Sequence, residues 1–385
     1  MRQLENETYI AYIKRVTRAC ANKQIDYSEW GDSILGEQNV YGSENLRKAF
    51  YCVNKMIDKI DSDSAGGVED ALEELQTLKD EIYKERCKLS DANREKNKYL
   101  REQSRTETIV EEMETIVSRL KPLDFKPHRY EYGENLEASL LVSDLHYGLT
   151  VDNVKNFYDE NISAERLNEL KDKTIERCKA HRVSKLNVCI LGDDISGIIH
   201  NSTISENNRD VITQCMEASE LLAEFVVKLN EVIPEVKVYS TIGNHSRVWQ
   251  KKSNGSNKEN FERIVTEFLK VRLKPYGIKV IDGGWEDFIV AKIADKTVVM
   301  THGDKDSLTQ ASANFMKLLR EPVDEIYMGH LHAHREFDDC NTQVIINGSL
   351  VSTDDYALSL RRHTDAVQLL RIYGEDVCCY RLKLK

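Results

Sequence analysis

The chain has 385 residues and a formal net charge of −11, long enough for two or three domains with buried cores, and its acidic balance excludes a surface that is basic all over while allowing a local basic patch. Its nine cysteines, an odd number without a Cys-x-x-Cys pair, suit reduced thiols rather than a disulfide framework or a zinc ribbon, and adjacent Cys378 and Cys379 read as packing residues of a C-terminal strand. No stretch approaches the ~20 apolar residues of a membrane span, and Met1 to Glu7 lacks the apolar core of a secretory signal, so the expectation is a cytoplasmic protein with no membrane partner.

Residues 1–60 predict a small helical module. Ile10, Ile13 and Val16 mark a first helix, Asp26 caps a short second one through Tyr27 and Trp30, and Ser43 caps a third. In the third, Leu46, Phe50, Val53, Ile57 and Ile60 recur at helical spacing, which leaves Asn45, Arg47, Lys48, Tyr51, Lys55 and Lys59 mostly off the buried stripe. Three short helices with a basic, aromatic-bearing last one are compatible with a DNA-binding helix-turn-helix and equally with a helical docking domain.

Residues 61–121 predict a linker and a long helix. Asp61 to Gly67 is a turn, and from Val68 to Leu120 no Gly or Pro interrupts the helix formers, so one long helix or two in near succession should span the segment. Val68, Ala71, Leu75, Leu78, Ile82, Leu89 and Ala92 fit a coiled-coil heptad seam with Glu85 as its flaw, a basis for a homodimer or for folding back on the same chain. Pro122 and Pro127 then open a third region, 122–385, in which strands alternate with helices at 165–181, 210–232, 259–273 and 307–319, with late strands around 288–294, 297–301, 343–346 and 366–373. The pattern is α/β, a two-sheet sandwich flanked by helices with mixed strand directions.

Five short motifs fall in order along this third region: Ser143-Asp144-Leu145-His146, Gly192-Asp193-Asp194, Gly243-Asn244-His245, Thr301-His302-Gly303-Asp304 and Gly329-His330-Leu331-His332. Most follow an apolar, β-branched run, so they sit where strands open into loops at their C-terminal ends, the place where open α/β sheets put their chemistry. Carboxylates, an amide and imidazoles at this density read as a two-metal hydrolase site.

In order and spacing these motifs resemble the calcineurin-like metallophosphoesterases, whose pattern is D-x-H, G-D, G-N-H, H-G and G-H-x-H. Coverage runs from about Ala138 to the C-terminus. The resemblance implies that Asp144, His146, Asp193 and His332 hold one divalent ion, and that Asp193, Asn244, His302 and His330 hold the other, with Asp193 bridging. It implies manganese, with iron or zinc as substitutes, a bridging hydroxide as nucleophile, and His245 as the general acid that protonates the leaving alkoxide. Asp194 and Asp304 stand beside ligands as supporting groups or loop caps, and Asn347-Gly348-Ser349 either closes the site or forms a turn. His128, His181, His200, His334 and His363 read as ordinary satisfied histidines.

Phosphoprotein phosphatases of that superfamily carry an Asp three residues after the bridging one, then Arg-Gly, and an acid after Gly-Asn-His. Here Ser196, Gly197 and Ser246 stand at those places, which removes the phosphoryl-gripping arginine and leaves open what orients His245. Asp144-Leu145-His146-Tyr147-Gly148 and the Gly-His-x-His ending are similar instead to the DNA repair exonuclease branch, as in SbcD and phage-encoded nucleases. Arg209, Lys251, Lys252 and Lys305 are available to contact phosphate or to remain solvated. The first reading is therefore a manganese-dependent DNA nuclease. The alternative is a small-molecule phosphodiesterase or phosphatase, for example on cyclic nucleotides, with the N-terminal region serving assembly.

Overall fold

The computed structural model describes all residues except 37–40, 63–66, 133–135, 200–206, 250–256 and 258, and describes no side chain at 67–75, 95, 97–106 and 109. Of the turn expected over Asp61 to Gly67, residues 63–66 lie outside the described residues while Asp61, Ser62 and Gly67 are helical; His200, Lys251 and Lys252 and the seam side chains of Val68, Ala71 and Leu75 also lie outside them. The chain divides into two compact units, Met1–Arg105 and Thr106–Lys385.

The first unit begins with α1 (Tyr9–Ala21), α2 (Tyr27–Leu35) and α3 (Ser43–Ser62). The α2 start is fixed by a capping box: the Asp26 carboxylate accepts the Glu29 N–H at 2.8 Å and the Glu29 carboxylate accepts the Asp26 N–H at 3.1 Å. Tyr12, Val16, Cys20, Trp30 and Phe50 form the core, with the Trp30 ring edge-on to Phe50 at 5.7 Å. On α3 the expected stripe faces inward, Leu46, Phe50 and Ile57 being buried and Val53 and Ile60 half-buried. On α1 the buried face is rotated from the expected one: Ile10 is exposed, and Tyr12 takes the inner position because its hydroxyl reaches the Met1 and Ser33 carbonyls at 2.7 and 2.6 Å. A single helix, α4 (Gly67–Arg119), follows, and Ile82 and Leu89 of its seam are exposed on the lone chain.

The second unit is a two-sheet sandwich. One sheet takes β1 (Glu137–Val142), β4 (Lys185–Ile190), β5 (Glu235–Ser240), β6 (Lys279–Asp282), β12 (Val367–Tyr373) and β13 (Val377–Lys383), in the order β13-β12-β1-β4-β5-β6. Its four strands from β1 to β6 are parallel, while β12 and β13 are antiparallel additions. The other sheet takes β7 (Phe288–Ile293), β8 (Lys296–Thr301), β9 (Glu325–Met328), β10 (Arg335–Asp339) and β11 (Thr342–Ile346), in the order β10-β11-β9-β8-β7, with β8, β9 and β11 parallel. A small hairpin, β2 (Val151–Asn153) and β3 (Asn156–Tyr158), branches off after the first motif.

Helices α5 (Glu160–His181), α6 (Val211–Val232) and α7 (Glu262–Leu273) cover the outer face of the first sheet, and α8 (Ala311–Leu319) covers the second. Leu141, Cys189, Leu191, Met300, Tyr327, Ile345 and Leu369 fill the space between the sheets. Parallel strands buried on both faces read as continuous apolar runs, which is why β1, β4 and β8 were visible in the sequence. Helix α5 starts at Glu160 rather than Glu165 because the Asp159 side chain caps it, accepting the Ile162 N–H at 2.9 Å. Cys378 and Cys379, expected to pack, are exposed because β13 is the outermost strand. Among the described residues no helix is long and apolar enough to cross a membrane.

Candidate metal centre

Because β1, β4 and β5 are parallel, and β8 and β9 are parallel, the loops after each set leave at a common end. Those loops carry the five motifs. Their backbone is strained in a consistent way: Asp144, His146, Asp193, His330 and His332 all have positive φ, at 56°, 44°, 56°, 67° and 52°. A non-glycine residue held there costs about 1–3 kcal/mol and persists where the surroundings dictate it, which is typical of ligand clamps.

Among the described residues, three overlapping groups of ligand atoms result, each with its atoms within 4.8 Å of one another, and two of them match the expected metal positions. In the first, His332 Nε2 lies 3.2 Å from Asp144 Oδ1 and 3.2 Å from His146 Nε2. In the second, His302 Nε2 lies 3.0 Å from Asp193 Oδ2 and 3.1 Å from Asn244 Oδ1, with the His330 ring 5.1 Å away. Asp193 also groups with His146 and His245, so its carboxylate stands between the two sets. All seven residues that the resemblance assigns to metal thus converge, and His245 with them.

The electrostatics are those of a site short of positive charge. Asp144 and Asp193 are buried and form ion pairs with His146, His302 and His332. Burial raises both carboxyls, but His332 holds Asp144 down at about 2 and His302 holds Asp193 well below the usual carboxylate range. Burial lowers His302, and Asp193 overrides it to lift the ring to about 10. His146 goes the other way, pushed well down by burial and by His245. Asp144 Oδ2 and His146 Nδ1 are buried without a hydrogen-bond partner. Hard oxygen donors, imidazoles and an orphaned carboxylate oxygen in one pocket fit divalent cations.

Supporting contacts fix the donors. His302 Nδ1 sits 2.8 Å from the Leu191 carbonyl, so that nitrogen carries the proton and Nε2 points at the ligands. Ser143 anchors the first loop: its N–H donates to Gln368 Oε1 at 2.9 Å and its hydroxyl to the Gly348 carbonyl at 2.9 Å. Asn347 donates to both Ser143 and Gln368, so Asn347-Gly348-Ser349 backs the Asp144 loop. His245 donates its backbone N–H to Asp193 Oδ1 at 2.9 Å, and its Nδ1 lies 3.2 Å from the Ser196 carbonyl. A backbone oxygen thus faces the His245 ring, while Ser246 turns its hydroxyl to the Gly243 carbonyl at 3.3 Å.

One supporting residue carries no motif. Glu262, buried at the start of α7, accepts the Asp194 N–H at 2.6 Å and the Gly243 N–H at 2.5 Å, clasping the two loops that present Asp193 and Asn244. Burial and then Asp193 lift its carboxyl to about 7. An acid in a helix's first turn is common as a complement to the helix dipole, so nothing in the sequence marks it. The same loops meet back to back at Gly192 and Gly243, where a Cβ on Gly243 would lie 2.1 Å from Asp193 Oδ1. Glu262→Ala should leave two buried N–H groups unsatisfied at about 1–3 kcal/mol each. A lowered urea midpoint with weakened metal binding is expected, and an unchanged midpoint would contradict the clasp.

The remaining residues lie elsewhere. Asp304 is half-buried, while burial and then the His302 charge lower His330. Asp194 has both carboxylate oxygens buried without a partner, and burial and Glu262 raise its pKa well above normal. Arg209 pairs with Glu217 at 3.3 Å, and Lys305 with Asp287 at 2.5 Å. His128, His181, His334 and His363 bond to Lys126, Tyr380, Ile346 and Thr353, outside the centre.

No family model matches the chain. Over 380 residues it is 26% identical to the SPbeta prophage-derived uncharacterized protein YonJ of Bacillus subtilis (strain 168), covering 92% of this chain and 91% of that one. Among solved structures, Vacuolar Protein Sorting 29 from Cryptosporidium parvum aligns at a TM-score of 0.34 and 14% identity over 65% of this chain and 92% of its own. A novel archaeal phosphodiesterase aligns at 0.32 and 14% over 63% and 99%, and a predicted phosphoesterase from Streptococcus pneumoniae TIGR4 at 0.31 and 12% over 66% and 95%.

Proposed function

We propose that the chain is a two-metal phosphodiester hydrolase of the calcineurin-like metallophosphoesterase type, acting on DNA as a nuclease of the SbcD-like branch. The observation that carries the hydrolase reading is the convergence of Asp144, His146 and His332 on one side of Asp193, and of Asn244, His302 and His330 on the other. Asp144, His146, Asp193 and His332 would hold one ion, and Asp193, Asn244, His302 and His330 the second; mixed oxygen and imidazole donors suit manganese, iron or zinc. Two divalent cations held there would supply Lewis acidity to a phosphodiester and lower the pKa of water toward neutrality, making hydroxide available as nucleophile.

The chain's own groups do the rest. Asp193 orders the site by accepting the His245 N–H while its other oxygen meets His302. His245 has Nδ1 against the Ser196 carbonyl, so a proton delivered to a leaving alkoxide comes from Nε2.

DNA as substrate is supported by α3, which exposes Arg47, Lys48, Tyr51, Lys55 and Lys59, and the Lys48–Glu44 pair there is loose, at 4.0 Å. Arg47→Ala, Lys48→Ala and Lys55→Ala together should weaken DNA binding and flatten its salt dependence, since fewer counterions are released. Affinity across a salt series, with light scattering to follow the oligomeric state and any homodimer formed through α4, checks this. The manganese-loaded protein should cleave single- or double-stranded DNA in preference to cyclic dinucleotides. The opposite preference with an unaltered salt slope would assign the front of the chain to assembly and the site to small phosphodiesters.

A further inference from the structure

Large apolar side chains stand exposed directly beside the loops of the metal centre. Ile198 is 36% exposed, Val248 37%, Leu331 39% and Trp249 53%. Ile198 follows Ser196, whose carbonyl receives the His245 ring, by two residues. Trp249 follows His245 by four, and Leu331 lies between His330 and His332. Both His330 and His332 have left-handed backbone and rings among the ligand groups, while Leu331 between them is exposed. The segment bearing Trp249 is tied to the site: Arg247 Nε donates to the Asn244 carbonyl at 3.0 Å, the Val248 N–H donates to the Glu259 carbonyl at 3.4 Å, and Arg247 pairs with Asn260 in an isolated bridge.

Single exposed apolar residues are ordinary, but four on the loops that carry the ligands of one site mark a binding surface. A phosphate group has no use for such a rim. We infer that Ile198, Val248, Trp249 and Leu331 form a nucleobase subsite beside the scissile phosphodiester, with the Trp249 indole stacking on the base and the aliphatic residues walling it. The inference rests on the phosphodiesterase reading and gives it a substrate class: nucleotide phosphodiesters over base-free ones. Stacking is tolerant of base identity because every base has a π face, and one stacked base is worth roughly 5- to 150-fold in affinity.

The test uses the full chain loaded with manganese and two substrates with the same backbone, a thymidine dinucleotide and its abasic tetrahydrofuran counterpart. The wild type should prefer the thymidine dimer, and Trp249→Ala should reduce that preference in kcat/KM roughly tenfold, chiefly through KM, with Trp249→Phe restoring most of it. Leu331→Ala should reduce it less. Separately, thymidine monophosphate should quench the intrinsic fluorescence of the wild type, which has three tryptophans, and lose most of that effect in Trp249→Phe. Hydrolysis of both dimers with a preference and quench that survive Trp249→Ala overturns the subsite and leaves the hydrolase reading standing. Equal loss on both dimers with reduced metal content makes Trp249 a structural residue and also overturns the subsite. Hydrolysis of neither dimer by the metal-loaded wild type overturns both.

Discussion

Asp193→Asn is expected to lose bound metal at one or both positions and to abolish phosphodiester hydrolysis with it. The substitution preserves shape, so the change is one of charge and of donors. Asp193 Oδ1 accepts the His245 N–H and Oδ2 faces His302 Nε2 at 3.0 Å, so the native carboxylate accepts on both sides. An amide accepts on only one, and its NH₂ must then oppose a donor or a ligand nitrogen. With one of two buried negative charges gone, His302 also loses the partner that lifts it to about 10. His302→Ala removes the imidazole that meets both Asp193 and Asn244 and should have the same effect on the second position. Elemental analysis beside an activity assay reads both quantities, and full activity at normal metal content in either variant contradicts the ligand assignment.

His245→Ala should behave differently. Its ring stands edge-on to His146 with centroids 4.5 Å apart, and its Nδ1 is turned to the Ser196 carbonyl. If it delivers a proton from Nε2, its removal should keep metal and slow turnover by roughly 10²–10⁴-fold on an alkyl phosphodiester, the usual contribution of a positioned acid. On an activated aryl ester, whose leaving group scarcely needs protonation, the loss should shrink. His245 also falls within 4.8 Å of the Asp193 and His146 ligand atoms, so equal losses on both esters together with reduced metal content would make it a ligand instead.

Much of the centre was legible because its residues sit on loops that follow apolar strands: the runs before Ser143, Leu191 and His302 are buried on nearly their whole length, while the one before Thr241 alternates, with Glu235 exposed and Lys237 half-buried. The strand before Gly329 was not predicted. It is four residues long and begins with buried Glu325, which is held by Tyr327 and Tyr373 hydroxyls and by Arg371, so a core position carries a charged residue. Glu262 was invisible for a related reason, since its effect depends on loops distant in sequence. The Ser196 contact to His245 uses a backbone carbonyl, which leaves no trace in residue type. The β2–β3 hairpin was missed because three-residue strands carry too little alternation to register.

The most direct test of the centre is a metal titration of the purified chain paired with hydrolysis of bis-p-nitrophenyl phosphate at each increment. Two equivalents of manganese per chain, with activity rising as the second binds and lost to a chelator, is the result the ligand geometry predicts. Saturation at two equivalents without phosphodiester hydrolysis, or hydrolysis that persists after the metal is removed, would contradict it.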